Sequence, residues 1–171
     1  LAFALLEGPK FEDTGEFEQA TESPSAHQDL APGAFPNPAQ IQDDLLSTRS
    51  RILVVGDIRA KWHHLVGVAK KLGVPEEVLV RVGYDELKSK SLPNMINLVT
   101  DRGVLMGPIP HKAKDVGNDS SMVTRVQRET GVPTVTLRSN STSAELVITK
   151  SNFREGLSTL LGEIYHHAQV A

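Results

Sequence analysis

The sequence contains no cysteine, which excludes a disulfide framework, zinc–thiolate sites and catalysis by a thiol. This composition fits a reducing compartment, and we expect a cytoplasmic protein. No apolar run approaches the roughly 18 residues that a membrane-spanning helix needs, so no membrane partner is expected. The opening "LAFALL" has no initiator methionine and no basic residue before it. We therefore expect no signal peptide, and a chain that is the downstream piece of a longer protein or of an incomplete reading frame.

Several enzyme signatures are also missing. The stretch "VVGDIR" after the first apolar run lacks the three-glycine dinucleotide fingerprint, and nothing matches the phosphate loop that ends in Gly-Lys-Ser/Thr. The chain has no Gly-x-Ser-x-Gly elbow either. A standard dehydrogenase, NTPase or hydrolase is thus disfavoured. The histidine pairs at 63–64 and 166–167 cannot each chelate one metal, because helix neighbours point about 100° apart, and no metal site is predicted.

The charge is divided unequally along the chain. The net charge of −3 over 171 residues combines −8 in residues 1–48, with nine acidic residues and one basic residue, and +5 in residues 49–171. Residues 1–40 hold five prolines and show no sustained hydrophobic period. We therefore predict that residues 1–48 form a largely irregular acidic arm or linker. Such an arm either only solvates the chain or screens a basic face of the domain from other anions.

From residue 49 onward, short apolar runs alternate with helical patterns. Strands are predicted at 51–56, 78–82, 103–107 and 134–139, and a short fifth strand at 145–150. Ser151 is predicted to cap a last helix. That helix should bury one apolar stripe, formed by Phe153, Leu157, Leu160, Leu161 and Ile164. The pattern predicts an α/β fold over 49–171, a three-layer Rossmann-like domain with a mostly parallel sheet of four to five strands.

Three polar connections follow the carboxyl ends of the predicted strands, at 56–62, 107–121 and 138–145. Open α/β sheets bind ligands beyond these ends, near the point where the strand order reverses. The turns at the opposite edge are shorter. We therefore predict a ligand site at the carboxyl edge. Its predicted residues are Gly56, Asp57, Gly107, His111, Lys112, Ser120, Ser121, Arg138 and Asn140.

The connection at 107–121 carries the residues best suited to an anion. Ser120 and Ser121 begin a predicted helix whose free N–H groups and dipole favour negative charge, and Lys112 adds a cation. The alternative is a capped helix after a solvated loop. If the protein is an enzyme, His111 is the candidate acid or base, and Asp57 or Asp115 is the candidate carboxylate for a divalent ion.

Four stretches resemble a group of small bacterial Rossmann-like proteins of unknown function: "ILVVGD…KW", "GPIPHKAKDVGNDSSMV", "VPTVTLRSN" and "LVITKSNFREGLSTLL". The group has a Gly-Pro-x-Pro-His loop and a Thr-Lys-Ser-Asn-Phe segment. The matching residues are Gly107, Pro108, Pro110, His111, Gly117, Ser120 and Ser121 in the first motif, and Thr149, Lys150, Ser151, Asn152 and Phe153 in the second. The resemblance covers about residues 51–162. It implies the fold and gives the loop priority as a site, and it implies no reaction.

These observations favour a binding or regulatory module for a phosphorylated small molecule, with a nucleotide as the preferred class and the cofactor unknown. The alternative is a metal-assisted hydrolase or transferase that acts on a phosphoryl or nucleotide substrate. A nucleic-acid-associated module is a third, weakly supported hypothesis, because residues 49–171 are basic but hold few aromatic residues for base stacking. A homodimer is left open.

Overall fold

The computed structural model of the chain describes residues 35–109, 122–137 and 147–167. Its four strands are β1 (Arg51–Gly56), β2 (Leu79–Gly83), β3 (Asp101–Met106) and β4 (Thr134–Thr136). Its helices are α1 (Pro38–Ser47), α2 (Trp62–Lys71), α3 (Glu86–Ser89), α4 (Leu92–Met95), α5 (Met122–Thr130) and α6 (Lys150–His167), with a 3-10 turn at Glu76–Val78. The strands form one sheet in the order β2-β1-β3-β4, and all neighbours are parallel. The predicted α/β fold with a parallel sheet is confirmed.

The central strand β1 explains why its sequence is a continuous apolar run. Ile52 and Val54 pack in the hydrophobic cluster on one face of the sheet. Leu53 and Val55 pack in the cluster on the other face. Because successive side chains of a strand point to opposite faces, a strand covered on both sides needs apolar residues at every position.

Two helical layers cover the sheet. Helices α1, α2 and α6 supply the first cluster, and α3, α4 and α5 supply the second. The predicted stripe of α6 is confirmed as buried: Phe153, Leu157, Leu160, Leu161 and Ile164. Within the described ranges, no helix has both the length and the apolar content needed to cross a membrane.

Helix α1 corrects the predicted end of the acidic arm. Asn37 caps the helix in a reciprocal pair with Gln40, and Pro38 occupies its first turn. Ile41 and Leu45 are buried in the cluster shared with α2 and α6. Residues 38–47 therefore belong to the folded domain, although they were assigned to the arm. The proline-rich stretch before them serves as a helix start, which composition alone does not distinguish from a linker.

The two ends of the described domain contact each other. The ring of Phe35 stacks edge-to-face on Tyr165, near the end of α6, with 6.2 Å between ring centroids. The Tyr165 hydroxyl donates a hydrogen bond of 2.9 Å to the carboxylate of Asp44 in α1. Burial and this carboxylate raise the pKa of Tyr165 above its ordinary value, so the hydroxyl keeps its proton.

The region around the predicted fifth strand also differs. Residues 138–146 lie outside the described residues, and β4 ends at Thr136 rather than at 139. Of the predicted strand at 145–150, the described part forms one parallel bridge, between Ile58 and Ile148, and then enters α6 at Lys150. A buried segment that lies across the strand ends needs the same apolar side chains as a strand. The apolar pattern of this stretch therefore did not distinguish the two.

Candidate functional site

The strand order reverses between β1 and β3. From β1 the chain moves to β2 on one side, and it then crosses back to β3 on the other side. In doubly wound sheets this reversal opens the crevice in which ligands bind, at the carboxyl ends of the two strands. The structure places three of the predicted site residues here: Gly56, Asp57 and Gly107. The N–H of Gly107 donates to Val55 (2.8 Å), and the N–H of Asp57 donates to Pro108 (3.3 Å).

Both glycines are required by close approach of the chain to itself. Gly56 has a φ of +123°, and a Cβ atom there would lie 2.6 Å from the carbonyl oxygen of Pro108. A Cβ atom on Gly107 would lie 2.5 Å from Cγ1 of Ile148. At Gly56 the obstacle is backbone and the φ is one that L side chains rarely adopt, so no side chain fits; at Gly107 the Ile148 side chain would have to move. Packing within the chain therefore explains these two residues without a ligand.

Ile148 lies across the carboxyl end of β1. Its side chain is fully buried. Its N–H donates to the carbonyl of Asp57 (3.2 Å), and its own carbonyl accepts from Ala60 (3.4 Å). The segment 147–149 therefore covers the strand ends beside Gly107 and connects the reversal point directly to the start of α6.

Asp57 is half-exposed beside a cation. Its carboxylate lies 3.6 Å from Nε of Arg59, and both side chains are open to solvent, so the pair contributes little to stability. A neighbouring guanidinium opposes the metal-binding role considered for Asp57, since it repels a divalent ion. Among the described residues, no group of three His, Cys, Asp or Glu side chains could hold a metal ion.

The remaining predicted site residues are His111, Lys112, Ser120, Ser121, Arg138 and Asn140, and all of them lie outside the described residues. Their roles stay predictions. Residues 111, 112, 120 and 121 follow Ile109 after β3, and residues 138 and 140 follow Leu137 after β4. Both stretches are therefore continuous in sequence with strands of the described sheet.

The Thr-Lys-Ser-Asn-Phe segment has a clear structural basis. The N–H of Thr149 donates to Oδ1 of Asn152 (2.8 Å), and the N–H of Asn152 donates to Oγ1 of Thr149 (3.3 Å), a reciprocal helix cap. Phe153 is fully buried. Thr149 thus caps α6, and the predicted cap at Ser151 is wrong because Ser151 lies inside the first turn. Lys150 and Ser151, the two exposed members, are the ones left for a ligand.

Lys150 and Ser151 line a groove between α2 and α6, which we call the α2–α6 groove. Its inner cavity, between the two helices, has a volume of about 320 Å³ and is lined by Val68, Lys71, Leu72, Lys150, Ser151 and Arg154. A smaller cavity of about 180 Å³ adjoins it beside His63 and His64. A shallower one of about 590 Å³ extends along α6 and is lined by Ser151, Arg154, Glu155, Ser158 and Thr159. Shared lining residues make these cavities one continuous groove.

The α2–α6 groove carries a net positive charge, with Lys71, Lys150 and Arg154 against Glu155. Lys71, Lys150 and Arg154 are exposed, and none of them forms an ion pair with another described residue. Lys61 is the N-cap of α2 and makes no side-chain capping bond, and the first turns of α2 and α6 contain no acidic residue. Helix N-termini favour negative charge, so cations at both of them raise the local potential. The cations repel one another and the positive helix ends, and an anion bound in the groove would offset this repulsion.

Cations at the two helix starts also act on His64. Partial desolvation and the positive charges of His63, Lys150 and Lys61 lower the pKa of His64 below its ordinary value. Lys61 and Lys150 belong to different helices, so both helix starts act on this one imidazole. The rings of His63 and His64 also pack edge-to-face, with centroids 4.2 Å apart. An anion bound at this end of the groove should therefore favour the protonated imidazole.

The groove residues were not predicted from the sequence, apart from the place of Lys150 and Ser151 in a motif. Lys71 and Arg154 lie on different helices and 83 positions apart, and nothing local relates them. The available signal was the motif itself. In that motif Thr149, Asn152 and Phe153 form the helix start, whereas Lys150 and Ser151 remain exposed.

Comparison with protein-family models, with curated proteins and with solved structures finds no match to this chain. The resemblance to the bacterial Rossmann-like group therefore stays a prediction.

Proposed function

We propose that this protein is a binding module for a phosphorylated small molecule and that the α2–α6 groove holds the phosphate. The observation that carries the proposal is the convergence of Lys71, Lys150 and Arg154 on one cavity, where they form no ion pair with a described residue. Charge-assisted hydrogen bonds from ammonium and guanidinium groups to phosphate oxygens are about twice as strong as neutral ones. The groove therefore supplies donors that a phosphate group can use.

A phosphate suits this groove better than a lone carboxylate. The cavity offers two ammonium groups, one guanidinium and the hydroxyl of Ser151. A phosphate brings three acceptor oxygens and a charge close to −2 at neutral pH, so it can engage several of these donors at once. The N-terminus of α6 adds its dipole in the same direction.

The dimensions favour a nucleotide among phosphorylated compounds. The inner cavity, at about 320 Å³, is at the lower limit of ligand pockets, which are typically about 300–1,000 Å³. The adjoining cavity of about 590 Å³ is lined by Ser158 and by Thr159, whose hydroxyl donates to the carbonyl of Glu155 and can still accept a hydrogen bond. Hydroxyl groups of this kind can hydrogen-bond a sugar. We therefore favour a ligand whose phosphate lies beside Lys150 and whose sugar extends along α6.

Calorimetric titration of ATP, AMP and pyrophosphate into the full chain tests the proposal. Lys71→Gln should weaken binding about tenfold or more, the scale of one charge-assisted hydrogen bond. Lys70→Gln is the matched control, since Lys70 is the next residue on α2 and lies 3.6 Å from the carboxylate of Glu76. The control should change the affinity less than threefold. Failure of every phosphorylated compound to bind, or equal losses in the two variants, would refute the groove as the site.

The loop at 107–121 has its own test in the same titration. If Lys112 also contacts the phosphate, Lys112→Ala should weaken binding while leaving stability nearly unchanged. His111→Ala separates the enzyme alternative, because loss of an acid or base lowers turnover with little loss of affinity.

A further inference from the structure

The acidic segment 1–34 joins the domain at Phe35, which packs on α6, one of the two helices that border the α2–α6 groove. This segment carries seven acidic residues and one basic residue, a net charge of −6. It reaches the described structure at Phe35, and the chain then passes the end of α2, where the backbone of Pro38 packs against Gly73. Leu72, the neighbour of Gly73, lines the groove together with Lys71. The most acidic part of the chain is therefore tethered within reach of Lys71, Lys150 and Arg154, which form no ion pair with a described residue.

We propose that the acidic segment 1–34 of this chain occupies the α2–α6 groove and competes there with the phosphorylated ligand. The inference rests on the proposed function, because it takes the groove as the anion site. The segment acts as an internal competitor. It lowers the affinity for weakly charged anions and is displaced by a phosphate, which bears more charge per group.

The stretch "EDTGEFE", residues 12–18, fits the groove best. It holds four carboxylates within seven residues and places Phe17 between Glu16 and Glu18. The groove combines cations with the apolar side chains of Val68 and Leu72. An aromatic ring flanked by carboxylates can contact both kinds of surface at once. Single carboxylates carry one charge each, so they bind these cations less tightly than a phosphate does.

The tether is long enough for this contact. Glu18 precedes Phe35 by 17 residues, which span at most about 56 Å when extended. The groove follows α6, whose 18 residues extend about 27 Å. A tether of this length gives an effective concentration in the millimolar range, so weak ionic contacts suffice to populate the bound state.

The first test neutralises the stretch in the full chain, with Glu12→Gln, Asp13→Asn, Glu16→Gln and Glu18→Gln combined. The variant should bind pyrophosphate about five- to tenfold more tightly than the wild type at low salt, and the difference should shrink as salt screens the carboxylates. If Lys71→Gln weakens binding but neutralisation leaves the affinity unchanged, the groove stands as the site and the competitor is refuted. If pyrophosphate binds neither protein, the proposed function itself fails.

The second test locates the segment without any ligand, using the absence of cysteine from the chain. Thr14→Cys is combined with Ser158→Cys in the groove or with Ser89→Cys on α3, in the opposite helical layer; both serines are exposed. Under mild oxidation the groove pair should form its disulfide at least tenfold faster than the control pair. Pyrophosphate should slow only the groove pair. Equal rates for the two pairs would overturn the proposal.

Discussion

Replacing Gly107 by alanine tests whether Ile148 covers the strand ends. The new Cβ atom would lie 2.5 Å from Cγ1 and 2.7 Å from Cδ1 of Ile148, well inside ordinary contact distance. Forcing a methyl group into such a site typically costs about 1–3 kcal/mol. Ile148→Ala alone should cost about 2–5 kcal/mol, because it removes a fully buried side chain and leaves a cavity. In the double variant the new methyl group enters that cavity, so the combined loss should fall short of the sum by about 1–2 kcal/mol.

Urea unfolding of the wild type, both single variants and the double variant measures this coupling, with the slope checked for constancy. Gly67→Ala is the control, because nothing lies within 4 Å of a Cβ atom at that helical position. It should be neutral or should stabilise the protein by up to about 1 kcal/mol through helix propensity. Additivity of the Gly107 and Ile148 effects within about 0.5 kcal/mol would refute the contact.

Three further predictions follow from contacts elsewhere in the domain. Asp101→Ala should lower the free energy of unfolding by about 2–4 kcal/mol in a urea titration, because the buried carboxylate accepts two hydrogen bonds from the Arg51 guanidinium and one from the N–H of Asn97. Tyr165→Phe should cost about 1 kcal/mol in the same assay through loss of the bond to Asp44, and a neutral effect would mean that the end-to-end contact adds no stability. Saturating pyrophosphate should raise the depressed pKa of His64, followed by the NMR signals of its imidazole, and an unchanged pKa would place the anion elsewhere.

The sign of the His64 effect on stability can be stated without ligand. Since the pKa of His64 is lower in the folded protein than in the unfolded chain, the unfolded state binds more protons near and below the ordinary histidine pKa. The contribution of this residue to stability is therefore greatest above that pKa and declines as the pH falls through it. His64→Gln should remove that part of the pH dependence.

The fold was predictable because its signals are local. The run Ile52–Val55 indicates within four residues a strand buried on both faces, and the stripe on α6 indicates a helix buried on one face. The structure buries those faces. Helix α1 was missed for a local reason as well: its cap lies among prolines, and only Ile41 and Leu45 face the core. Two apolar contacts in ten residues are a weak signal beside an acidic, proline-rich composition.

The candidate site was predictable only in part. The rule for strand ends brought Gly56, Asp57 and Gly107 together at the reversal point, and the structure places them there. That a ligand binds at this point stays a prediction. The groove depends on the distance between two helices, which no periodicity in either helix specifies. The spacing of Thr149 and Asn152 is compatible with a reciprocal cap, which the structure shows. Ser151, two residues after Thr149, satisfied the same capping preference, so the sequence did not decide between the two.

The contact between Phe35 and Tyr165 has a consequence for engineering the domain. With the first described residue packed against the last helix, a short linker can join the two ends, and new ends can be opened in an exposed turn such as 97–100. A pulling force applied at residues 35 and 165 would load the aromatic pair and the bond to Asp44 before it reached any strand. Tension applied between the two ends of the domain would therefore reach the sheet only after these contacts had broken.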